Sequence, residues 1–453
     1  MFDLKKILDD AKKTFEQWDK YSQISEVTII RDVLGKLSFV LDMQQLINTA
    51  DKEAIQTELE KKLGKYYQGH FYIKQDSNSD LINRMIDSIE HDRWKYDCEG
   101  LVKWYLLERA IAKKAWVECR EIENSVWLYE DAVAGKKPRV VTFYSFKGGM
   151  GRTTAAAATA LALASRGYKI LMIDADIEAP GLATFFFEEE TIEQGIIDYF
   201  LEAENTKENE EIDMSSMILQ VTDPMLMNGL SENGQIFVIP AGKVDSDYLQ
   251  KLARIDFQDT KPGQMKKVII RLLEEAIANI ARVCSIDYIF FDSRAGFHDM
   301  GGIVTTQIPH GVVLLCKDSK QSWQGTKEVL RSISETQTEK PLVTIVDSAC
   351  GMEGIISAEE KRAFEEQAYM MFCDVYYDSE VQPAPNAIDE AHSPIYVPYQ
   401  VALSKDIQLY TDGTINSNER VEQLKARMLG ECYQKIADRV ELWFNNNEGR
   451  KGK

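Results

Sequence analysis

The sequence predicts an α/β chain: a doubly wound, mostly parallel sheet over residues 138–453, preceded by a separate helical domain over residues 1–137. Three observations carry this expectation. A hydrophobic strand, a glycine-rich loop and an immediate helix follow one another between Val140 and Ala164. Strand-like and helix-like segments then alternate toward the end of the chain, as the crossovers of a parallel sheet require. Before residue 138 the apolar residues instead recur at helical spacing.

In chain order, Leu4, Ile7, Leu8, Ala11, Phe15 and Trp18 share one face of a first helix, with lysines and acids opposite. A second amphipathic helix is expected from Glu53 to Leu63, stopped by Gly64. Tyr66 to Ile73 has strand-like or extended character. A long helix is expected over 101–119, carrying Trp104, Tyr105, Leu107, Ile111 and Trp116. That aromatic density reads as core packing rather than a ligand pocket, because large rings are common fillers of an interior. Gly135-Lys-Lys-Pro138 is the natural linker into the second domain.

The second domain opens on Val140-Val-Thr-Phe-Tyr-Ser-Phe-Lys-Gly-Gly-Met-Gly-Arg-Thr-Thr154. Glycines at 148, 149 and 151 let backbone N–H groups converge at the positive end of a helix, which suits a phosphate. The candidate binding residues are therefore Lys147, Gly148, Gly149, Met150, Gly151, Arg152, Thr153 and Thr154. The plain phosphate-loop pattern G-x-x-x-x-G-K-[ST] fails twice, since Phe146 replaces its first glycine and Arg152 its lysine. The variant K-G-G-x-G-[KR]-T-T fits throughout. Small side chains from Ala155 to Ala164 permit the helix to pack closely on a sheet.

Later strands are expected at 168–174, 236–239, 288–292, 312–316 and 342–346, with helices at 264–282, 323–334 and 357–372. The acidic stretch from Glu188 to Asp213 reads as an exposed, solvated insertion. A last helix over 418–445 places Val421, Leu424, Met428, Cys432, Ile436, Val440 and Trp443 on one side. Its many acids favour packing on its own domain.

Two carboxylate motifs follow the loop. Ile173-Asp-Ala-Asp-Ile-Glu-Ala-Pro-Gly-Leu182 brings Asp174 and Asp176 to the end of a buried strand. Asp287-Tyr-Ile-Phe-Phe-Asp-Ser-Arg-Ala-Gly296 ends a second such strand at Asp292. Charge neutralisation and a placed nucleophile are what phosphoryl transfer asks of a protein.

Together the three motifs resemble the ParA/MinD group of deviant Walker A P-loop ATPases, of the SIMIBI class. Within it they are most similar to the arginine-bearing branch of KGGVGR-motif variants. The resemblance spans roughly residues 138–402. It implies a P-loop NTPase domain, Mg2+ and ATP as cofactors, slow ATP hydrolysis and a homodimer that assembles on ATP. By the same resemblance Thr153 is the direct magnesium ligand, Asp292 holds the ion through a water, and Asp174 stands near it. Asp176 positions the attacking water, and Lys147 reaches the partner's nucleotide. Arg152 grips the phosphates as a planar fork in place of the usual lysine. Arg294 stands where MinD has proline; contact with phosphate or partner and a structural salt bridge remain equal alternatives. Gln321 and Ser322 are expected to cap the following helix. ATP is preferred over GTP because no [NT]-K-x-D follows a late strand. Asp347 and Pro394 to Tyr399 stand either at the base pocket or at ordinary strand ends and turns.

Composition bounds the remainder. A chain of 453 residues is long for one core, and its 44% hydrophobic and 28% charged content is ordinary for a soluble globular protein. Seven cysteines without a C-x-x-C suggest reduced thiols in a cytoplasm, and five isolated histidines give no support to a histidine metal site. No apolar run approaches membrane-spanning length, and the N-terminus does not read as a signal peptide. The formal charge of −20 disfavours non-specific DNA binding. Three functions are carried forward. The first is a regulatory ATPase that switches a protein effector, associated through the family with bacterial antiphage defence. The second is a partition-type ATPase that positions DNA or cargo, disfavoured by the charge. The third is a bacterial tyrosine kinase, whose tyrosine-rich tail and membrane-spanning activator are not found here.

Overall fold

The structure, a computed structural model, describes residues 3–74, 80–98, 100–110, 112–117, 137–207, 210–255, 264–335, 340–352 and 356–445. The chain divides into two compact units, residues 1–121 and 122–453.

The smaller unit departs from the expected helical domain: it is itself α/β. Helix α1 (Leu4–Glu16) is capped by Asp3, whose carboxylate accepts the Lys6 N–H at 3.0 Å. Strands β1 (Ile24–Arg31) and β2 (Leu37–Met43) form an antiparallel hairpin. Helix α2 (Thr49–Leu63) ends where Gly64 takes φ +54°, and β3 (Tyr67–Ile73) runs parallel to β2. Helix α3 (Asp80–Asp92) leads to β4 (Trp94–Asp97) and β5 (Lys103–Glu108). The sheet order is β3-β2-β1-β5-β4. The helix expected over 101–119 is thus replaced in its first half by β5, and Ile111 and Cys119 lie outside the described residues. Trp104 and Leu107 satisfy a helical spacing, but a short apolar run fits a strand equally well. Pairing of β5 with both β1 and β4 decided the outcome. Trp104 and Trp116 are buried, as expected of core rings, whereas Tyr105 is only partly buried; Phe15 lies 5.1 Å from Phe39 and 5.9 Å from Trp104, ring to ring.

The larger unit is a doubly wound, mostly parallel sheet of eight strands. These are β6 (Arg139–Ser145), β7 (Lys169–Ala175), β8 (Leu219–Gln220), β9 (Gln235–Ile239), β10 (Tyr288–Ser293), β11 (Gly311–Cys316), β12 (Leu342–Met352) and β13 (Ile395–Tyr399). Their order is β13-β12-β11-β6-β10-β7-β9-β8, and among the described residues only the β8–β9 pair is antiparallel. Helix α4 (Arg152–Ser165) follows β6 directly and is buried from Thr154 to Ala164. Such burial requires its alanines, because larger side chains would push apart the layers above and below. At Gly234 a Cβ would stand 2.0 Å from the Ala164 carbonyl, so the turn before β9 approaches α4 at backbone distance.

Helix α5 (Ile196–Asn205) arises inside the acidic stretch that was expected to be a solvated loop. Ile196, Ile197, Tyr199 and Phe200 are buried, so four apolar anchors outweigh the acids around them. Helices α6 (Gln264–Ile280), α7 (Lys320–Ser334) and α8 (Ala358–Val375) stand where expected. The single last helix is two, α9 (Ile415–Met428) and α10 (Glu431–Asn445), separated at Leu429 and Gly430. The apolar period continues through the break, which hides it from a periodicity reading. Val421, Leu424, Met428, Ile436 and Val440 pack against the α4 alanines in one core.

Candidate nucleotide site

The site is built where β6, β7 and β10 end together. The loop Phe146–Gly151 leaves β6 and opens α4, with Gly149 at φ +74° and Gly151 at φ +66°. A Cβ at Gly148, Gly149 or Gly151 would meet nothing within 4 Å, so the space above the loop is open to a ligand. No side chain caps α4 at Gly151. The first helical N–H groups therefore remain available for an anion. A cavity of about 510 Å³ lies here, walled by the loop from Gly148 to Thr154 with Ser145, Asp176, Gly181, Phe185, Arg294, Ala295 and His298.

Hydrogen bonds fix the loop from outside. Ser145 Oγ donates to the Lys147 carbonyl at 2.9 Å, Ser348 Oγ donates to the Met150 carbonyl, and Tyr144 Oη donates to the Gly296 carbonyl at 2.9 Å. Lys147 itself is exposed.

The acidic residues converge beneath this cradle. Asp292 and Asp174 are register neighbours on β10 and β7. Thr153 Oγ1 donates to Asp292 Oδ2 at 2.6 Å. The predicted magnesium ligand and the predicted Walker B aspartate are therefore in contact. Asp174 accepts three backbone N–H groups, from Asp176 at 3.1 Å and from Gly181 and Leu182 at 3.0 Å. It thus shapes the loop after β7 and does not line the cavity. Burial and then the Asp292 charge push its carboxyl up to about 7. Asp176 does line the cavity; burial raises its pKa, partly countered by Arg152. One of its oxygens, Oδ1, is buried with no hydrogen-bond partner.

Arg152, the expected phosphate fork, bonds two carboxylates. Its Nε donates to Asp292 Oδ1 at 2.6 Å and its Nη2 to Asp176 Oδ2 at 2.9 Å. Burial opposes its charge, but Asp292 and then Asp176 more than offset that and hold it protonated. Arg294 makes the salt bridge that was one of its two alternatives, pairing through Nη1 with Glu178 while lining the cavity. His298 Nδ1 lies 3.2 Å from the same Glu178. Sequence reading missed Glu178, His298 and Phe185; only their placement in the Asp174–Leu182 and Asp292–Gly296 neighbourhoods pointed to them.

Three further expectations are located. The cap of α7 is Ser319, which accepts from the Ser322 N–H at 3.3 Å, rather than Gln321 or Ser322. Ser322 Oγ instead accepts the Lys317 N–H at 3.2 Å. Asp347 is buried, and burial with Asp318 and Glu360 pushes it up to about 7, but it does not line the loop cavity. Pro394, Ile395, Tyr396 and Pro398 line a separate space of about 950 Å³ that shares no residue with the glycine loop.

Residues 138–343 match the family model described as an AAA domain. That AAA-domain segment runs from the foot of β6 into β12 and contains the loop, Asp174, Asp176, Asp292 and Arg294. No curated protein matches the chain. Among solved structures, a ParA family ATPase from Chlorobium tepidum TLS is 17% identical, with 66% of this chain and 98% of that one covered and a TM-score of 0.41. A plasmid partition protein from Borrelia burgdorferi is 16% identical over 64% and 99%, with a TM-score of 0.37. The ATP complex of a McdA variant from Cyanothece is 16% identical over 64% and 96%, with a TM-score of 0.37. Among the described residues no helix is long and apolar enough to cross a membrane.

Proposed function

We propose that the larger unit is a ParA/MinD-like ATPase of the arginine-bearing variant branch, which binds Mg-ATP, hydrolyses it slowly and serves as a nucleotide-dependent dimeric switch for a protein partner. The observation that carries this is the Thr153–Asp292 hydrogen bond beneath an open glycine cradle. A hydroxyl at a helix N-terminus joined to a strand-end carboxylate is a donor set of the hard oxygen type that magnesium takes. Asp176 Oδ1, at the cavity wall without a hydrogen-bond partner and 3.9 Å from Arg294 Nε, adds a carboxylate oxygen that a water could meet. These residues fit the group.

Magnesium, when bound with ATP, would neutralise phosphate charge and so ease transfer of the γ-phosphoryl group to water. The chain's own part is positioning. Gly148, Gly149 and Gly151 leave the loop backbone open toward the phosphates, and the α4 N-terminus favours their charge. Thr153 and Asp292 hold oxygen ligands at the foot of the cavity. Asp176 offers the carboxylate that orients a water, and Arg294 and His298 line the same wall. A protein effector fits the chain better than a DNA surface, because a charge of −20 repels phosphate backbones at long range. A role in bacterial defence extends this reading by resemblance.

The test is Asp176→Ala. It should abolish turnover measured by phosphate release while retaining ATP binding measured by calorimetry. Turnover equal to that of the unaltered chain would remove the water-positioning role from Asp176.

A further inference from the structure

The loop places an arginine where the plain phosphate loop has lysine, and its guanidinium fork bonds two carboxylates. Its Nε and Nη2 each meet a different carboxylate, Asp292 at the end of β10 and Asp176 in the segment after β7. A lysine is a single point charge and cannot hold two carboxylates in such a planar fork. Asp174 adjoins Asp292 across the strand pairing, so three carboxyl groups share these surroundings. Arg294 Nε is 3.9 Å from Asp176 Oδ1, and its Nη1 is engaged by Glu178. Among the described residues, Arg152 is thus the close counter-ion of this acidic group.

We infer that Arg152 is a resident counter-ion of Asp176 and Asp292, and that a divalent cation gains these carboxylates only by displacing its guanidinium. The inference rests on reading the loop as a nucleotide site, though not on which nucleotide enters. Buried carboxylates left without a cation repel one another strongly. The bridge removes that repulsion, and it ties the segment around Asp176 to β10. Metal entry and release of that segment then become one event. Arg152 acts here through the two aspartates, as a positioning residue.

The experiment uses the full chain, free of nucleotide, titrated with Mn2+ and followed by electron paramagnetic resonance. Arg152→Gln should bind Mn2+ roughly tenfold or more tightly than the unaltered chain, because Asp176 and Asp292 lose their internal cation. Mg2+ alone should raise the melting temperature of Arg152→Gln and leave that of the unaltered chain unmoved. Arg152→Lys, which keeps charge but not the fork, should fall between them. Equal Mn2+ affinity in the unaltered chain and Arg152→Gln would overturn the inference. If Arg152→Gln does not fold, Arg152→Lys decides, and an affinity equal to that of the unaltered chain overturns it. A parallel titration of the unaltered chain with a fluorescent ATP analogue reads the nucleotide site separately. Its failure would count against the proposed function and leave the metal result standing.

Discussion

Phe146 occupies the position of the first glycine in the plain phosphate loop, and its ring rests on Gly325 of α7. A Cβ at Gly325 would stand 2.0 Å from that ring, and Phe297 lies 5.3 Å away edge-on. The departure from the common pattern is therefore a packing solution, with a large residue on the loop matched to a residue without a side chain on the helix. Asp174 gives a second consequence at this scale. Its folded-state pKa of about 7 exceeds its ordinary value of 3.8, so the folded chain binds the proton more tightly than the unfolded one. This group favours folding most at low pH, and its contribution falls as pH rises from about 4 to about 7. Asp174→Asn removes the titration. Urea unfolding of nucleotide-free protein between these pH values should show a smaller decline for the variant than for the unaltered chain. Parallel pH profiles would show that Asp174 ionises normally.

At the scale of elements, much of the larger unit was legible. Strands β6, β7, β10 and β11 are continuous apolar runs ending in turn or polar residues, and a strand buried on both faces has no other signature. The candidate site motifs are legible for the same reason, since each sits at the end of such a run. What escaped was decided by long-range contact. Helix α5 depends on Ile196, Ile197, Tyr199 and Phe200 finding a core beneath an acidic sequence. Strand β5 depends on β1 and β4, which no local pattern around Trp104 reveals. The Arg152 bridge joins residues 24 and 140 positions apart and has no sequence signal at all. Helix α4 offers the clearest test of element packing. Ala158 is fully buried between the sheet and the C-terminal helices. Ala158→Leu should cost about 1–3 kcal/mol by overpacking, measured by denaturant unfolding. A neutral result would mean that this layer has room for a larger side chain.

For the whole molecule, the proposed switch requires that two copies meet when ATP is bound. Lys147 is exposed beside the cradle, and the proposed switch would have it serve a facing subunit. Placing a cation there would offset γ-phosphate charge between two loops brought face to face. Sedimentation of Asp176→Ala protein should give a dimer with ATP and a monomer with ADP or without nucleotide. Adding Lys147→Ala should weaken that dimer. A dimer indifferent to nucleotide and to Lys147 would assign the lysine elsewhere.

The proposed ATPase and its dimer depend on the glycine loop holding a nucleoside triphosphate. Calorimetric titration of the full chain with ATP, with and without Mg2+, measures that most directly, set beside Gly149→Val. Gly149 takes φ +74° under open space. A valine there both strains the backbone and intrudes where phosphate would lie. The unaltered chain should bind one ATP per chain, more tightly with Mg2+. Gly149→Val, shown to be folded by circular dichroism, should bind about a hundredfold more weakly or not at all. No binding by the unaltered chain, or equal binding by the folded variant, would contradict the assignment of this loop.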